Sequence, residues 1–408
     1  MSIAISILGL ALLILVHEAG HFYASLAVGL RPRRFYVGFP PPLIKKKRNG
    51  IEYCLGAIPL GGFVTIPGMH RPIAHDAERR FSAAVAEMPA LAGSVDRVKR
   101  SLDAEDFAGT PATLDELEGG LRVAKLSPAA LSSATKGLTE LRDALGPDAY
   151  WKAQTWKRLV AIGAGPAANI VLAIVIFTFL FMTAAGQATT TVAAVTPELE
   201  PGVTSPAQSI GLKPGDRIVA INGESVSADD ISTAIGDSAG AALTLIVARN
   251  GEELELGPVA AQEVDGRYRL GLGLEGTGLP FLQSVGRAFE VTGIISREIV
   301  KSLGKLVTGE GRDDVSSPIG ITKASSDAVD RGTQSYLWVL GLISLSVALL
   351  NLLPLLPLDG GHIVFSLIEG ARGKAVRREI YERVSIVGLG VVLLLFFVGL
   401  TNDIGDLL

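Results

Sequence analysis

Two histidines and a glutamate close an apolar segment near the N-terminus. The stretch LVHEAGHFY occupies residues 15–23 and follows a run dominated by Ile, Leu and Ala. In a helix, residues four apart lie on one face, so His17 and His21 can present two imidazoles to one tetrahedral Zn²⁺. Glu18 lies beside them, where it can take a proton from water that such a metal activates. Because ionisable groups at membrane depth are costly, a functional role is predicted for all three.

A third ligand is expected from another polar side chain at membrane depth. The later stretch ALLNLLPLLPLDGGHI offers Asn351 and Asp359. Pro354 and Pro357 disfavour helix, so the chain is expected to run extended there, which a membrane permits only inside protein or beside a water-filled cavity. Since a hydrolase needs water, Asp359 is predicted to complete a His₂Asp site. The competing interpretation of Asp359 is a residue that ends a helix before Gly-Gly. Asn351 either donates to the oxyanion of a tetrahedral intermediate or joins two helices.

Composition indicates a membrane protein with soluble parts. Of 408 residues, 48% are hydrophobic and 19% are charged, below the roughly 25% charge of soluble domains. A net charge of −4, without a basic stripe interleaved with aromatics, argues against a nucleic-acid partner. The single cysteine, Cys54, excludes an intramolecular disulfide and a multi-cysteine zinc site, so histidine and carboxylate must hold any metal.

Four apolar stretches are long enough to cross a lipid bilayer, which takes about 20 residues. The predicted transmembrane helices are 1–28 with HEAGH, 159–184, 336–361 with NLLPLLPLDGG, and 384–402. The first stretch lacks a basic n-region and carries HEAGH where a cleavage site would lie, so it is predicted to be retained rather than removed as a signal peptide.

The segments between the spans differ in composition. Residues 29–75 alternate strand-prone pieces with Gly and Pro, which predicts a β-hairpin region beside the membrane. Residues 76–158 form a predicted helical cytoplasmic insertion, to which the sequence assigns no role. Residues 280–335 have apolar residues at helical spacing, which predicts an amphipathic helical linker that lies on the membrane surface or packs on the preceding domain.

Residues 190–275 contain the pattern GLKPGDRIVAING, which resembles the PDZ domains of bacterial proteases. Such domains bind a peptide C-terminus or an extended segment by adding it to a sheet edge. The competing interpretation is a small β-rich domain without a specific ligand. Lys and Arg are concentrated in 29–158 and 360–383, so these loops are predicted to be cytoplasmic and the PDZ-like domain extracytoplasmic. The predicted fold class is a polytopic α-helical membrane protein with a β-hairpin region and a PDZ-like α/β domain.

Five motifs together resemble the site-2 protease family of intramembrane zinc metalloproteases, and within it the bacterial regulator-of-sigma-E type. They are HEAGH, GPAAN (165–169), NLLPLLPLDGG (351–361), PLGGFV (59–64) and SSPIGI (316–321). The resemblance implies an enzyme of the bacterial inner membrane, with its active site near the cytoplasmic side. Its substrate would be a single-pass transmembrane protein such as an anti-sigma factor already cut by another protease. The resemblance also implies that His17, His21 and Asp359 bind zinc, Glu18 is the base and Asn351 positions substrate. The chain departs from the pattern in its long helical insertion and its single PDZ-like domain.

Strand-prone residues from Ile51 to Ile66 closely follow the HEAGH span and are predicted to place an edge strand near the zinc. An unwound substrate helix needs new backbone partners, which such a strand supplies by β-addition. The alternative is a hairpin that only seals the cytoplasmic mouth of the site. The predicted substrate-binding residues are Gly61, Gly62, Phe63, Val64, Thr65, Asn169 and Pro354.

Two other classes of protein are consistent with some features of this sequence. A metal or proton transporter explains His and Asp in lipid, but it predicts polar residues along several spans. A non-catalytic membrane scaffold built on the PDZ-like domain does not need Glu18 beside the ligands. Zinc content and proteolysis in a Glu18→Gln variant would separate the three classes.

Overall fold

A computed structural model describes residues 1–183, 186–200, 202–264, 266–308, 311 and 315–405. The chain divides into two compact units. The first contains Met1–Ala173 and Ile295–Leu408, and the second contains Ile174–Ile294. The metal-binding motifs of the sequence all fall in the first unit.

The N-terminal part of the chain forms six helices and a pair of strands. They are α1 (Ser2–Ala27), β1 (Arg34–Arg48), β2 (Ile51–Thr65), α2 (Ala74–Glu87), α3 (Ala92–Asp103), α4 (Thr110–Val123), α5 (Pro128–Leu145) and α6 (Thr155–Met182). Helices α2 to α5 have a hydrophobic core of their own, which includes Phe81, Leu114 and Leu117 at 0% exposure. We call α2 to α5 the helical insertion. The apolar faces of its short helices pack on one another, so it needs no lipid to bury them.

Strands β1 and β2 are bent, and their pairing makes a small sheet of four segments. Residues 44–48 pair with 51–55, and residues 34–37 pair both with 52–55 and with 62–65. The segment 62–65 therefore lies at an edge, and no other strand of the described chain pairs with its free side. We call residues 62–65 the edge strand.

The second unit is β-rich. Its elements are β3 (Gln187–Val195), β4 (Glu198–Glu200), β5 (Val203–Thr204), α7 (Pro206–Ser209), β6 (Arg217–Ile221), β7 (Glu224–Ser225), α8 (Ala228–Asp237), β8 (Ala242–Arg249), β9 (Glu252–Ala260), β10 (Gln262–Val264), β11 (Arg267–Arg269) and β12 (Leu272–Thr277). The next helix, α9 (Phe281–Thr308), begins in this unit and continues beyond its last residue, Ile294. The main sheet has the order β12-β3-β6-β8-β9, with β7 beside β6. A capping box between Ser227 and Asp230 begins α8.

The C-terminal part consists of α10 (Pro318–Asp330), α11 (Thr333–Asn351), α12 (Asp359–Arg372) and α13 (Arg378–Gly405). In the described parts of the predicted linker (280–308, 311 and 315–335), the chain forms α9, α10 and the start of α11. The side chain of Asp403 accepts backbone hydrogen bonds from Ser317 at 2.8 Å and Gly320 at 3.0 Å, so the end of α13 caps the start of α10.

Among the residues that the structure describes, four helices are long and apolar enough to cross a membrane: Ser2–Ala27, Thr155–Met182, Thr333–Asn351 and Arg378–Ile404. The prediction of one helix over 336–361 is wrong, because α11 ends at Asn351 and α12 begins at Asp359. The intervening residues form tight turns rather than the predicted extended chain; for example, the Leu358 amide donates to the Leu355 carbonyl at 2.8 Å. The two prolines prevent helix there, while the leucine amides still find local partners.

Candidate metal centre and active site

His17, His21 and Asp359 bring three potential ligand atoms together. The Nε2 atoms of the two histidines are 3.2 Å apart, and each lies 3.2 Å from Oδ2 of Asp359. Both histidines are at most 9% exposed. Helix α1 supplies the histidines one turn apart, and the first residue of α12 supplies the carboxylate. The structure therefore joins two motifs that are far apart in the sequence.

This triangle fits a zinc ion. With metal–ligand bonds of about 2.0–2.1 Å, two ligands of a tetrahedral zinc lie roughly 3.3 Å apart, close to the observed 3.2 Å. His17, His21 and Asp359 form a group that could hold a metal within the part of the chain that the structure describes. Two imidazoles and one carboxylate are the donor set expected of a catalytic zinc site, which keeps a fourth position open.

A backbone carbonyl of α6 fixes the orientation of His21. The Nδ1 atom of His21 lies 3.0 Å from the carbonyl oxygen of Ala161. Since a carbonyl only accepts, Nδ1 carries the proton and Nε2 keeps its lone pair toward the ligand triangle. Two glycines allow this approach: a β-carbon on Gly20 would overlap the Ala164 carbonyl, and one on Gly165 would overlap His21 Nε2.

Asp359 is held at the N-terminus of α12, where helix amides favour negative charge. A β-carbon on Gly360 would overlap the carbonyls of Leu352 and Leu353, and one on Gly361 would lie 2.6 Å from the Leu356 amide nitrogen. The Gly-Gly pair therefore lets the preceding turns fold tightly against the start of α12. That packing sets the position of the Asp359 carboxylate, the predicted third ligand.

Glu18 is buried at 8% exposure and lies against the edge strand. A β-carbon on Gly62 would come within 2.7 Å of Glu18 Cγ and within 2.7 Å of the Tyr36 carbonyl oxygen. Only a glycine fits between the two. The backbone of Gly62 thus borders the carboxylate of Glu18, the predicted base.

The other predicted edge-strand residues pack on their surroundings. The ring of Phe63 stacks on Tyr36, with centroids 4.6 Å apart, and a β-carbon on Gly61 would overlap the Phe39 ring. Val64 packs against a buried cluster at the base of the strand. The Thr65 carbonyl accepts a hydrogen bond from the Arg33 amide at 2.8 Å, so Thr65 faces the inner strand.

Three predicted residues lie elsewhere. Asn351 ends α11, and its Nδ2 donates to the Val347 carbonyl at 3.0 Å. Asn169 is 0% exposed, and its side-chain amide has no hydrogen-bond partner among the residues that the structure describes. Pro354 is exposed in the turns before α12. Within the described chain no hydrogen bond or ion pair joins these three residues to the ligand triangle, so their roles stay predictions.

Sequence reasoning missed the residues that orient the ligands. Ala161 acts through its backbone carbonyl, and Gly165 acts by having no side chain. Neither property can be recognised from the type of residue alone. The sequence does carry a signal for Gly165, because it is the first residue of the motif GPAAN. A glycine in a membrane helix often marks a place where two helices approach closely. Ala161 carries no such signal.

The architecture and the site fit a membrane metallohydrolase: an apolar helix holds two histidines one turn apart and an adjacent glutamate, and the Asp359 carboxylate completes a group that could hold a metal. A comparison with protein families finds the peptidase family M50 over residues 5–395. The chain belongs to this family.

Curated relatives match the chain over nearly their full length. A protein of Agrobacterium fabrum is 30% identical over 98% of this chain and 95% of its own length. The zinc metalloproteases RasP of Shouchella clausii and Geobacillus kaustophilus are each 28% identical, over 97% and 96% of this chain and 97% and 95% of their own lengths. The predicted family, protease class and zinc cofactor are confirmed, and the transporter and scaffold alternatives are not supported.

Proposed function

We propose that the chain hydrolyses a peptide bond within or near the transmembrane helix of a membrane protein, with His17, His21 and Asp359 holding the zinc. The observation that carries this proposal is the 3.2 Å triangle of ligand atoms, whose two histidines lie on a helix apolar enough to span a membrane. A site at this depth suits a bond that is itself buried in lipid.

Glu18 acts as the general base. Zinc, when bound, supplies Lewis-acid polarisation at the site. The Glu18 carboxylate, confined by Gly62, takes a proton from the attacking water and returns it to the leaving amide nitrogen. Burial excludes bulk water and strengthens this interaction.

The edge strand holds the unwound substrate. A substrate helix shields its scissile carbonyl, and unwinding it in lipid leaves backbone groups that cost several kcal/mol each. Thr65 presents its carbonyl to the inner strand, and successive residues of a strand alternate sides. Val64 therefore presents its N–H and C=O to the free side, where an extended substrate segment would pair.

Asn351 stabilises the oxyanion. Its Nδ2 now donates to Val347 within α11, and a single rotamer change would free it for a substrate carbonyl. Such a donor contributes most where charge develops in the transition state. Asn169 and Pro354 complete the proposed substrate-binding set from α6 and from the turns before α12.

The proposed location of the chain is the bacterial cytoplasmic membrane, with its active site near the cytoplasmic side. The distribution of Lys and Arg supports this orientation, which puts the PDZ-like unit outside the cytoplasm. That unit would receive a peptide C-terminus or extended segment. The proposed substrate is a single-pass membrane protein such as an anti-sigma factor, cut beforehand by another protease, as the resemblance to the regulator-of-sigma-E type implies.

A substrate-trapping experiment tests the proposal. The Glu18→Gln variant is expected to keep its zinc, lose cleavage and retain a crosslinked single-pass membrane protein, because the amide fills the space of the carboxylate without accepting a proton. Gly163→Ala is the matched control, since its β-carbon meets only Ile363 Cδ1 at 3.9 Å. Full cleavage by Glu18→Gln would refute the mechanism.

A further inference from the structure

Tyr150 connects the segment between α5 and α6 to α12, the helix that carries Asp359. It follows α5, is 2% exposed, and places its hydroxyl 3.1 Å from Oγ of Ser366, which is 1% exposed. Ser366 lies on α12 two turns after Asp359, and residues seven apart share a helix face. The hydroxyl pair thus holds the face of α12 that presents the third ligand.

The same tyrosine reaches the helix that orients His21. Tyr150 belongs to a buried cluster with Ala161 and Ile162 of α6, and Ile363 of α12 packs against this cluster. Ala161 is the residue whose carbonyl fixes the His21 ring. The Tyr150 side chain therefore packs between α12, which carries Asp359, and α6, whose Ala161 carbonyl orients His21.

The backbone around Tyr150 also fixes the chain that leaves the edge strand. The amides of Tyr150 and Trp151 donate to the carbonyls of Pro67 and Gly68 at 2.9 and 3.0 Å. Gly68 has φ +62°, and a β-carbon there would come within 2.8 Å of the Ala149 β-carbon, so the two segments approach as closely as a glycine allows.

A charged pair reinforces the connection between α6 and α12. Arg158 Nη1 donates to Glu369 Oε2 at 2.5 Å, and the Arg158 guanidinium lies 5.9 Å from the Tyr150 ring centre. Burial raises the pKa of Tyr150 to about 12. The hydroxyl therefore stays protonated at physiological pH and remains available to Ser366.

We propose that Tyr150 is a positioning residue for the metal centre: it sets the separation of α12, which carries Asp359, from α6, which orients His21. The segment between α5 and α6, which contains Tyr150, would then influence zinc affinity without touching the metal. This inference rests on the proposed function, since it assumes that the ligand triangle holds zinc.

The test compares Tyr150→Phe, Ser366→Ala and the double variant. Zinc affinity is measured by competition with a chromophoric chelator in detergent, alongside thermal unfolding. Each single variant is expected to bind zinc about three- to tenfold more weakly, less than the loss for a group bonded directly to a ligand. Because the two hydroxyls act as one pair, the double variant should lose no more than the single variants. Tyr268→Phe, in the other unit, is the matched control and should bind zinc like the wild type.

Unchanged zinc affinity in both single variants would overturn the proposal, as would losses that multiply in the double variant. If Tyr150→Phe fails to fold, Ser366→Ala carries the test, because it removes only one oxygen. Failure of the proposed function would look different: the wild type would bind zinc but cut no transmembrane substrate, and the affinities would still decide the role of Tyr150.

Discussion

Gly165 of α6 and His21 of α1 approach so closely that a β-carbon on the glycine would overlap Nε2 of the histidine. That nitrogen is one corner of the ligand triangle. Gly165→Ala is therefore expected to displace the His21 ring, weaken zinc binding about tenfold or more, and abolish cleavage. Gly163→Ala, on the same helix, should retain both properties. Atomic absorption on the two purified variants checks this, and equal zinc content would contradict it.

Removing any one ligand should lower zinc occupancy and end proteolysis. His17→Ala, His21→Ala and Asp359→Ala each leave two of the three protein donors, too few for tight binding at a site that keeps an open position. Asp359→Asn retains the shape of the side chain but replaces a carboxylate oxygen by a weaker amide donor, so a partial loss is expected. Zinc content and cleavage of a transmembrane peptide are the measurements. A zinc-loaded, active Asp359→Ala would show that another residue is the third ligand.

Val64→Pro should reduce cleavage of a transmembrane substrate while zinc content is unchanged. Proline removes the Val64 N–H, which faces the free side of the edge strand, without adding charge. Val64→Ala is the control, because it shortens the side chain but keeps the N–H, and it should retain most activity. Helix-breaking residues near the cleavage site of the substrate should raise turnover, since unwinding then costs less. If Val64→Pro and Val64→Ala cleave equally well, substrate does not pair at this position.

The β-rich unit should lose stability in acid through Asp216. Arg249 donates two hydrogen bonds of 2.6 Å to this carboxylate, which is 1% exposed, and holds the pKa of Asp216 below its usual range, although burial acts in the opposite direction. Because the folded pKa is below the unfolded value of about 3.9, the stabilisation is present above that value and disappears as the pH falls through the folded pKa.

Asp216→Asn isolates this contribution. The variant is expected to destabilise the β-rich unit by about 2 kcal/mol at pH 7, since it leaves Arg249 without its charged partner. Its free energy of unfolding should then change less than that of the wild type between pH 5 and pH 3. Hydrogen exchange of the β6 and β8 amides, corrected for intrinsic rates, measures both. The same acid sensitivity in the two proteins would assign the effect to other groups.

Tags report the orientation of the chain. A tag at Gly240 in the β-rich unit should be accessible from outside intact cells, and one at Gly119 in the helical insertion should not, because Lys and Arg are concentrated beside the insertion. Reversed accessibility would place HEAGH toward the external side of the bilayer.

The sequence by itself determined the chemistry and the broad architecture. A HExxH spacing places two imidazoles on one helix face with a carboxylate beside them, since residues four apart share a face. Long apolar runs predict membrane helices in the same way, because the bilayer thickness sets their length. Asp359 could be chosen as third ligand because few polar side chains lie near the end of its apolar stretch.

Only the tertiary structure decided how these parts are held together. No local pattern shows that the Ala161 carbonyl orients His21, or that Tyr150 meets Ser366, which lies 216 residues later. Local propensity also failed between Asn351 and Asp359, where prolines predict a break but not the turns that replace the helix. Backbone carbonyls and absent side chains have no sequence signature, and contacts between distant segments depend on packing of the whole chain. Residue types therefore identify the reacting groups, whereas their distances are set by helices that meet only in the folded protein.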